Sequence, residues 1–207
     1  MIRSLLLSVA GLLLIYSSGS AGEIEKFFEK VKGIQTLEGT FYQKNYYSEL
    51  EESFEFKGHF VLKRPDKLAW RYDEGSKDSV YVIGTKATLI QPEEKQAILH
   101  DISTLGITKA PILFIFNREM IKKDFIVLSE TKTEIVLKPK DNSMGLKRVT
   151  IVLHSSGNFP VKGIKFEDLY NNVIEIMFEN LNINPKVKES DFQFSIPKGY
   201  TVLDTSA

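Results

Sequence analysis

Apolar and polar positions change their spacing along this chain, and each change marks a new kind of element. Over residues 23–35, Ile24, Phe27, Phe28, Val31 and Ile34 recur at helical spacing, with Glu25, Lys26, Glu29, Lys30 and Lys32 turned elsewhere. The pattern predicts an amphipathic helix. The period then becomes two: Phe54, Phe56, Gly58, Phe60, Leu62 and Arg64 share one face of a strand, and Ser53, Glu55, Lys57, His59 and Lys63 share the other. Alternation continues in Leu68, Trp70 and Tyr72 against Lys67, Arg71 and Asp73, then through a strand at 79–83 that turns at Gly84-Thr85. Further along, 125–129 and 134–138 flank a polar turn, and 148–154 leads into Ser155-Ser156-Gly157-Asn158. Tyr170-Asn171-Asn172 separates 161–169 from 173–180. Short strands between turn clusters predict an antiparallel meander with one face covered and the other wet.

One segment interrupts the strands. Between 101 and 117, Ser103, Gly106 and Pro111 punctuate a stretch ending in Ile112-Leu113-Phe114-Ile115-Phe116. Pro111 suits the first position of a helix, so a second helix is expected there. The economical fold class is mainly β with helices (α+β), a single sheet with two helical insertions and no repeat or linker to divide it.

The first residues add a compartment. Met1-Ile2-Arg3, an apolar run over 5–16 and Ser17-Ser18-Gly19-Ser20-Ala21 have the three zones of a secretory signal, with cleavage expected after Ala21. The run is shorter than the ~20 residues that cross a bilayer as a helix. The expected organisation is a signal peptide over 1–21 and one domain over 22–207, exported, soluble and best suited to the periplasm. No cysteine occurs, so stability must come from burial, and no lipid-bearing cysteine follows the signal. Lys plus Arg and Asp plus Glu both number 27, which gives no strong field for a nucleic acid or membrane surface.

Catalytic chemistry is hard to find. His59, His100 and His154 stand far apart without metal-ligand spacing. The acidic pairs Glu51-Glu52, Asp73-Glu74 and Glu93-Glu94 sit beside turns, where solvated charge is usual. Ser195-Ile196-Pro197-Lys198 has Ser-x-x-Lys spacing, but that motif needs a helix, and Pro197 follows a strand-like Phe192-Gln193-Phe194. No metal, cofactor or enzymatic activity is expected.

Arg64 is the informative residue. Its register with Phe54, Phe56, Phe60 and Leu62 points a guanidinium toward the covered face, where it needs acceptors such as helix-end carbonyls. Alternatively, Pro65 ends the strand and Arg64 twists out to solvent. The aromatics Phe27, Phe28, Phe54, Phe56, Phe60, Trp70 and Phe116 have their own bland reading as ordinary core.

Lys63-Arg64-Pro65, Leu68, Trp70, Gly84, Pro92, Pro111, Leu137 with Pro139-Lys140, and Pro197 with Gly199 together resemble the periplasmic outer-membrane lipoprotein carrier (LolA) family over nearly the whole mature chain. Thr40-Phe41-Tyr42-Gln43-Lys44 is similar too. The resemblance implies an incomplete, curled antiparallel β-barrel whose apolar cavity is covered by an α-helical lid. It implies a monomeric chaperone that takes lipoproteins by their acyl chains from an inner-membrane lipoprotein-releasing ABC transporter and delivers them to an outer-membrane acceptor. Arg64 would be the lid latch. Phe54, Phe56, Phe60, Leu62, Leu68, Trp70 and Tyr72 would line the acyl-chain site, with Phe27, Phe28, Val31, Ile34, Ile112 and Phe116 in the lid helices. Leu68 stands where members often have phenylalanine, and Thr88-Leu89-Ile90 where they often have a tryptophan-rich run. The rival functions are a periplasmic sensor or scaffold binding a protein or lipid, and a hydrolase of cell-envelope lipids.

Overall fold

The computed structural model describes residues 22–102, 107–154 and 157–205. The expected signal, Ser103, Gly106, Ser155 and Ser156 lie outside them. The amphipathic helix is present as α1 (Glu23–Lys32), with Phe27, Phe28 and Val31 buried. It ends before Gln35 because the backbone extends into β1 (Thr36–Tyr47). β2 (Glu52–Lys63), β3 (Lys67–Glu74), β4 (Ser79–Ile83), β5 (Lys86–Gln91) and β6 (Gln96–Asp101) follow.

The interruption holds two helices where one was expected. Pro111 opens α2 (Pro111–Phe116), and Asn117 then caps α3 (Arg118–Asp124) by accepting the amide of Met120 at 3.0 Å. The second half contains β7 (Phe125–Glu130), β8 (Glu134–Pro139), β9 (Leu146–Leu153), β10 (Val161–Asp168) and β11 (Val173–Ile183). A 3-10 turn (Glu189–Phe192) and β12 (Thr201–Asp204) complete the described elements.

The described residues form one open twelve-stranded sheet in the order β12-β6-β5-β4-β3-β2-β1-β11-β10-β9-β8-β7. This corrects the simple meander. Two meanders, β1–β6 and β7–β11, are joined where β1 pairs antiparallel with β11, and β12 adds to β6 in parallel. The sheet curls without closing, and the helices lie against its apolar inner face.

The expectation of one wet face also fails locally, on β3–β5. There Ala69, Tyr81 and Ile90 point outward, but Phe192 packs on them and is itself only 2% exposed. The ring of Tyr81 stacks on Phe194 at 4.6 Å, while Arg71 donates to the Asp191 carbonyl at 2.8 Å. Phe192-Gln193-Phe194 is therefore not a strand. It is the end of the 3-10 turn and the irregular backbone after it, anchored by outward-facing apolar side chains.

Inside, Trp70 stacks on Phe41 at 3.9 Å and on Phe60 at 5.4 Å. Close approach beside this stack requires a glycine: a Cβ on Gly58 would lie 2.1 Å from the Arg71 carbonyl oxygen and 2.5 Å from the Phe41 ring.

Candidate functional site

Helix α1 crosses the rim of the curled sheet and is held at both ends by side chains from different halves. At its C-terminal end, Arg64 Nη1 donates to the carbonyls of Ile34 at 2.9 Å and Lys32 at 3.3 Å. These include an acceptor that the helix leaves without an internal partner, and a cation is favoured at this end of the helix dipole. The backbone explains the aim: β2 ends at Lys63, and the Arg64 amide donates to the Gln35 carbonyl at 2.8 Å, beside the start of β1. The guanidinium also lies 5.1 Å from the Phe116 ring centroid, so one half-buried side chain touches both α1 and α2. Of the two readings of Arg64, the inward turn onto helix-end carbonyls describes its geometry.

At the other end, Glu130 closes β7 and accepts the Ile24 amide at 2.9 Å. A carboxylate here suits the positive end of the helix. Gly22 leaves it room, since a Cβ would stand 2.3 Å from Glu130 Oε1. Between the ends, Glu25 meets Arg118 at 2.7 Å and Lys122 at 2.8 Å, both on α3. The hydrogen bond from Lys122, with the nearby charges, holds the Glu25 carboxyl below the usual carboxylate range. Arg118 lies over the Phe28 ring at 5.2 Å. Polar contacts at the rim thus fasten a helix whose other side is apolar.

Beneath α2 lies a cavity of about 990 Å³. Leu62 and Val82 form part of its sheet wall, and Leu113, Phe114 and Phe116 face them from α2. Met144 and Leu146 bound it opposite, and Arg64, Asp66 and Asn117 also border it. A smaller compartment of about 240 Å³ shares Thr108, Met144 and Leu146 with it.

Of the residues read from sequence, the structure brings Arg64, Leu62 and Phe116 to this cavity. Phe60, Leu68 and Trp70 are fully buried in the packed stack behind it, and Phe27, Phe28, Val31, Ile34 and Ile112 are buried beneath the helices, outside its lining. Tyr72 donates to Gln43 at 3.0 Å in a polar group with Asn45, whose Oδ1 accepts from Gln43 at 2.9 Å, and burial pushes its hydroxyl pKa up. Phe56 lies edge-on to Tyr72 at 5.9 Å. Phe54 stands away from the cavity: it is 44% exposed at the far end of the β1–β2 hairpin, against Tyr47 at 5.7 Å. The alternation that placed it inward is real, but the strand outruns the covered part of the sheet.

Val82, Leu113, Met120, Met144, Leu146 and Glu130 were missed. Met120 lies on α3, with Ile121 the other of its two apolar residues, and α3 itself was not expected from the sequence. The histidines do not converge: His59 pairs with exposed Asp73 at 2.8 Å and His100 with Thr205 at 2.8 Å. Ser195 lies on irregular backbone.

The open, curled sheet is a fold that known proteins share. The model of the outer membrane lipoprotein carrier protein LolA family matches residues 32–195. The chain belongs to the LolA family. An outer-membrane lipoprotein carrier protein of Ralstonia nicotianae is 28% identical over 211 residues, covering 95% of each chain. One from Francisella tularensis subsp. tularensis is 23% identical over 186 residues, 89% of each. Among solved structures, a LolA superfamily protein from Nitrosomonas europaea is similar with a TM-score of 0.50 at 12% identity, covering 84% of this chain and 99% of its own. An uncharacterized conserved protein from Thermus thermophilus reaches 0.54 at 11% identity, with 88% and 99% covered. At these identities the solved structures speak to the fold of this LolA-family chain.

Proposed function

We propose that this LolA-family protein is a periplasmic carrier, exported through residues 1–21, that holds the acyl chains of lipoproteins released from the inner membrane and passes them to an outer-membrane acceptor. The observation that carries the reading is the partly open cavity of about 990 Å³ on the inner face of the sheet, lined mainly by apolar side chains and bordered by α2, with α1 fastened nearby by polar contacts at both ends. A cavity of about 150 Å³ accommodates benzene, or about 25 Å³ per carbon, so this one has room for on the order of forty carbons. That is two to three chains of about sixteen carbons by the same ratio.

The energetics suit carriage. Each methylene shielded from water is worth about 0.8 kcal/mol, so a chain of about fifteen methylenes loses roughly 12 kcal/mol when it enters water bare. A shuttle must offset that loss and still release its cargo. Arg64 serves as the latch, because its bonds to the Lys32 and Ile34 carbonyls can be exchanged for water while α1 lifts. Partition from one apolar cavity to a more favourable one makes and breaks no covalent bond.

The test is release. Mature protein is mixed with vesicles holding a radiolabelled lipoprotein and a lipoprotein-releasing ABC transporter, ATP is added, and soluble cargo is looked for in complex with the protein. A stoichiometric soluble complex is the expected result. Cargo left wholly in the vesicles, under conditions in which a known carrier extracts it, would sink the proposal.

A further inference from the structure

The end of the sheet remote from Arg64 has a character of its own. Register places Thr36 beside Lys63 and Tyr47 beside Glu52, so β1 runs from the Arg64 rim to this far end. There the β1–β2 hairpin tip meets the β10–β11 turn: Tyr46 pairs with Val173, and the Ser48 amide donates to Asn172 Oδ1 at 2.9 Å. The joined tips leave Tyr46, Tyr47, Leu50, Phe54, Leu169 and Tyr170 exposed, with Leu50 at 61% and Tyr170 at 80%. A cluster of large apolar side chains at one end of a soluble fold marks an interaction surface, and tyrosine is favoured in such surfaces. The smaller compartment is lined by Tyr46 and Tyr47, so this apolar end borders the space that continues from the main cavity.

Charge selects the kind of partner. The hairpin tip carries Glu49, Glu51 and Glu52, all exposed, and no lysine or arginine between Tyr46 and Ser53. The neighbouring cations Lys147 and Arg148 are engaged by Glu167 at 2.7 and 3.0 Å. A tip that entered an anionic bilayer would carry lysine and arginine around its apolar residues. Carboxylates beside open tyrosine faces instead match arginine, which binds carboxylate with a fork of donors and stacks on aromatic rings.

We propose that the joined tips are a docking face for a protein partner that presents arginine next to apolar side chains. Docking there leaves the Arg64 rim free and sets the partner beside the smaller compartment.

The test needs no cargo, so its failure leaves the carrier reading standing. The probe is a synthetic twelve-residue peptide alternating arginine with tryptophan and leucine, alongside the same peptide with glutamate for arginine and phosphatidylethanolamine–phosphatidylglycerol vesicles. The arginine peptide is expected to bind and to shift the amide resonances of residues 46–54 and 169–172. Affinity should fall about tenfold or more in Glu49→Lys/Glu51→Lys/Glu52→Lys and in Leu50→Ser/Tyr170→Ser, all at exposed positions, with unchanged circular dichroism. Equal affinity in the variants, shifts confined to other surfaces, flotation with the vesicles, or a dimer that buries the tips would each overturn the proposal.

Discussion

Replacing Arg64 with leucine removes the side-chain contacts that tie the end of β2 to the lid and leaves the backbone bond to Gln35 in place. The magnitude follows from the geometry. The bond to Ile34 at 2.9 Å is well formed and charge-assisted, worth about 1.5 kcal/mol at the low end suited to a half-buried donor. The bond to Lys32 at 3.3 Å is long and on the exposed side, worth about 0.5 kcal/mol. The Phe116 contact at 5.1 Å contributes another ~0.5 kcal/mol. The sum, about 2.5 kcal/mol, is a factor of about 60 in the opening of α1. Native-state hydrogen exchange reads it directly: the amides of α1 should exchange about 60-fold faster in Arg64→Leu, with those of the β1–β2 ladder unchanged. Arg64→Lys, which keeps the charge without the fork, should fall between. Unchanged exchange in α1 would refute the latch, and equal acceleration in α1 and β1–β2 would show that Arg64 supports the whole fold.

The other end of α1 and the outer face of the sheet yield two more expectations. Glu130→Ala removes the acceptor for the Ile24 amide, so the first-turn amides of α1 should exchange about fivefold faster, in line with the ~1 kcal/mol of a lost helix cap, and no change would deny Glu130 that part. Hydrogen bonds from Lys63 and Lys67 lower the Glu189 carboxyl to about 2. A carboxyl lowered in the folded state adds stability above its ordinary value near 4.5 that is lost as pH falls toward 2. Contacts of the 3-10 turn, followed through the Phe192 and Phe194 ring resonances, should loosen across that window, and in Glu189→Gln the Glu189-linked part of this pH dependence should vanish.

Elements that alternate cleanly were legible in the sequence, and elements whose two faces are both occupied were not. β2 reads at once because Gly58, Phe60 and Leu62 are buried between less buried neighbours. β5 does not, because Ala87, Thr88, Leu89 and Ile90 are buried in succession, with the C-terminal segment covering its outer side. β1 hid for another reason. Its inward positions include Gln43 and Asn45, which satisfy each other and Tyr72 inside the fold, so polar residues occupy the covered face. The β1–β11 pairing that joins the halves links residues over a hundred positions apart, and no local pattern encodes it. At the site, Arg64 was legible because a charge in an apolar register demands acceptors. Glu130 was not, since a glutamate at a strand end is ordinary until the helix that it caps is in place. Phe60, Leu68 and Trp70 show the limit of reading a face: sharing the inner face does not decide which residues fill the core and which border the space left over.

That division bears on how a carrier of this shape could both hold and release. The aromatic stack of Phe41, Phe60 and Trp70 is packed without room for a ligand, so it can keep the sheet's curvature whether the cavity is filled or empty. On the proposed carrier reading the movable part is α1, whose attachments at Arg64 and Glu130 come from just after β2 and from β7, in opposite halves of the sheet. Against roughly 12 kcal/mol for sheltering one acyl chain, an Arg64 latch of about 2.5 kcal/mol is small. It cannot decide whether cargo is bound at equilibrium. What it can set is how often the empty or loaded lid opens, which makes Arg64→Leu a kinetic lesion: uptake and hand-off rates should change more than the amount of cargo held at saturation.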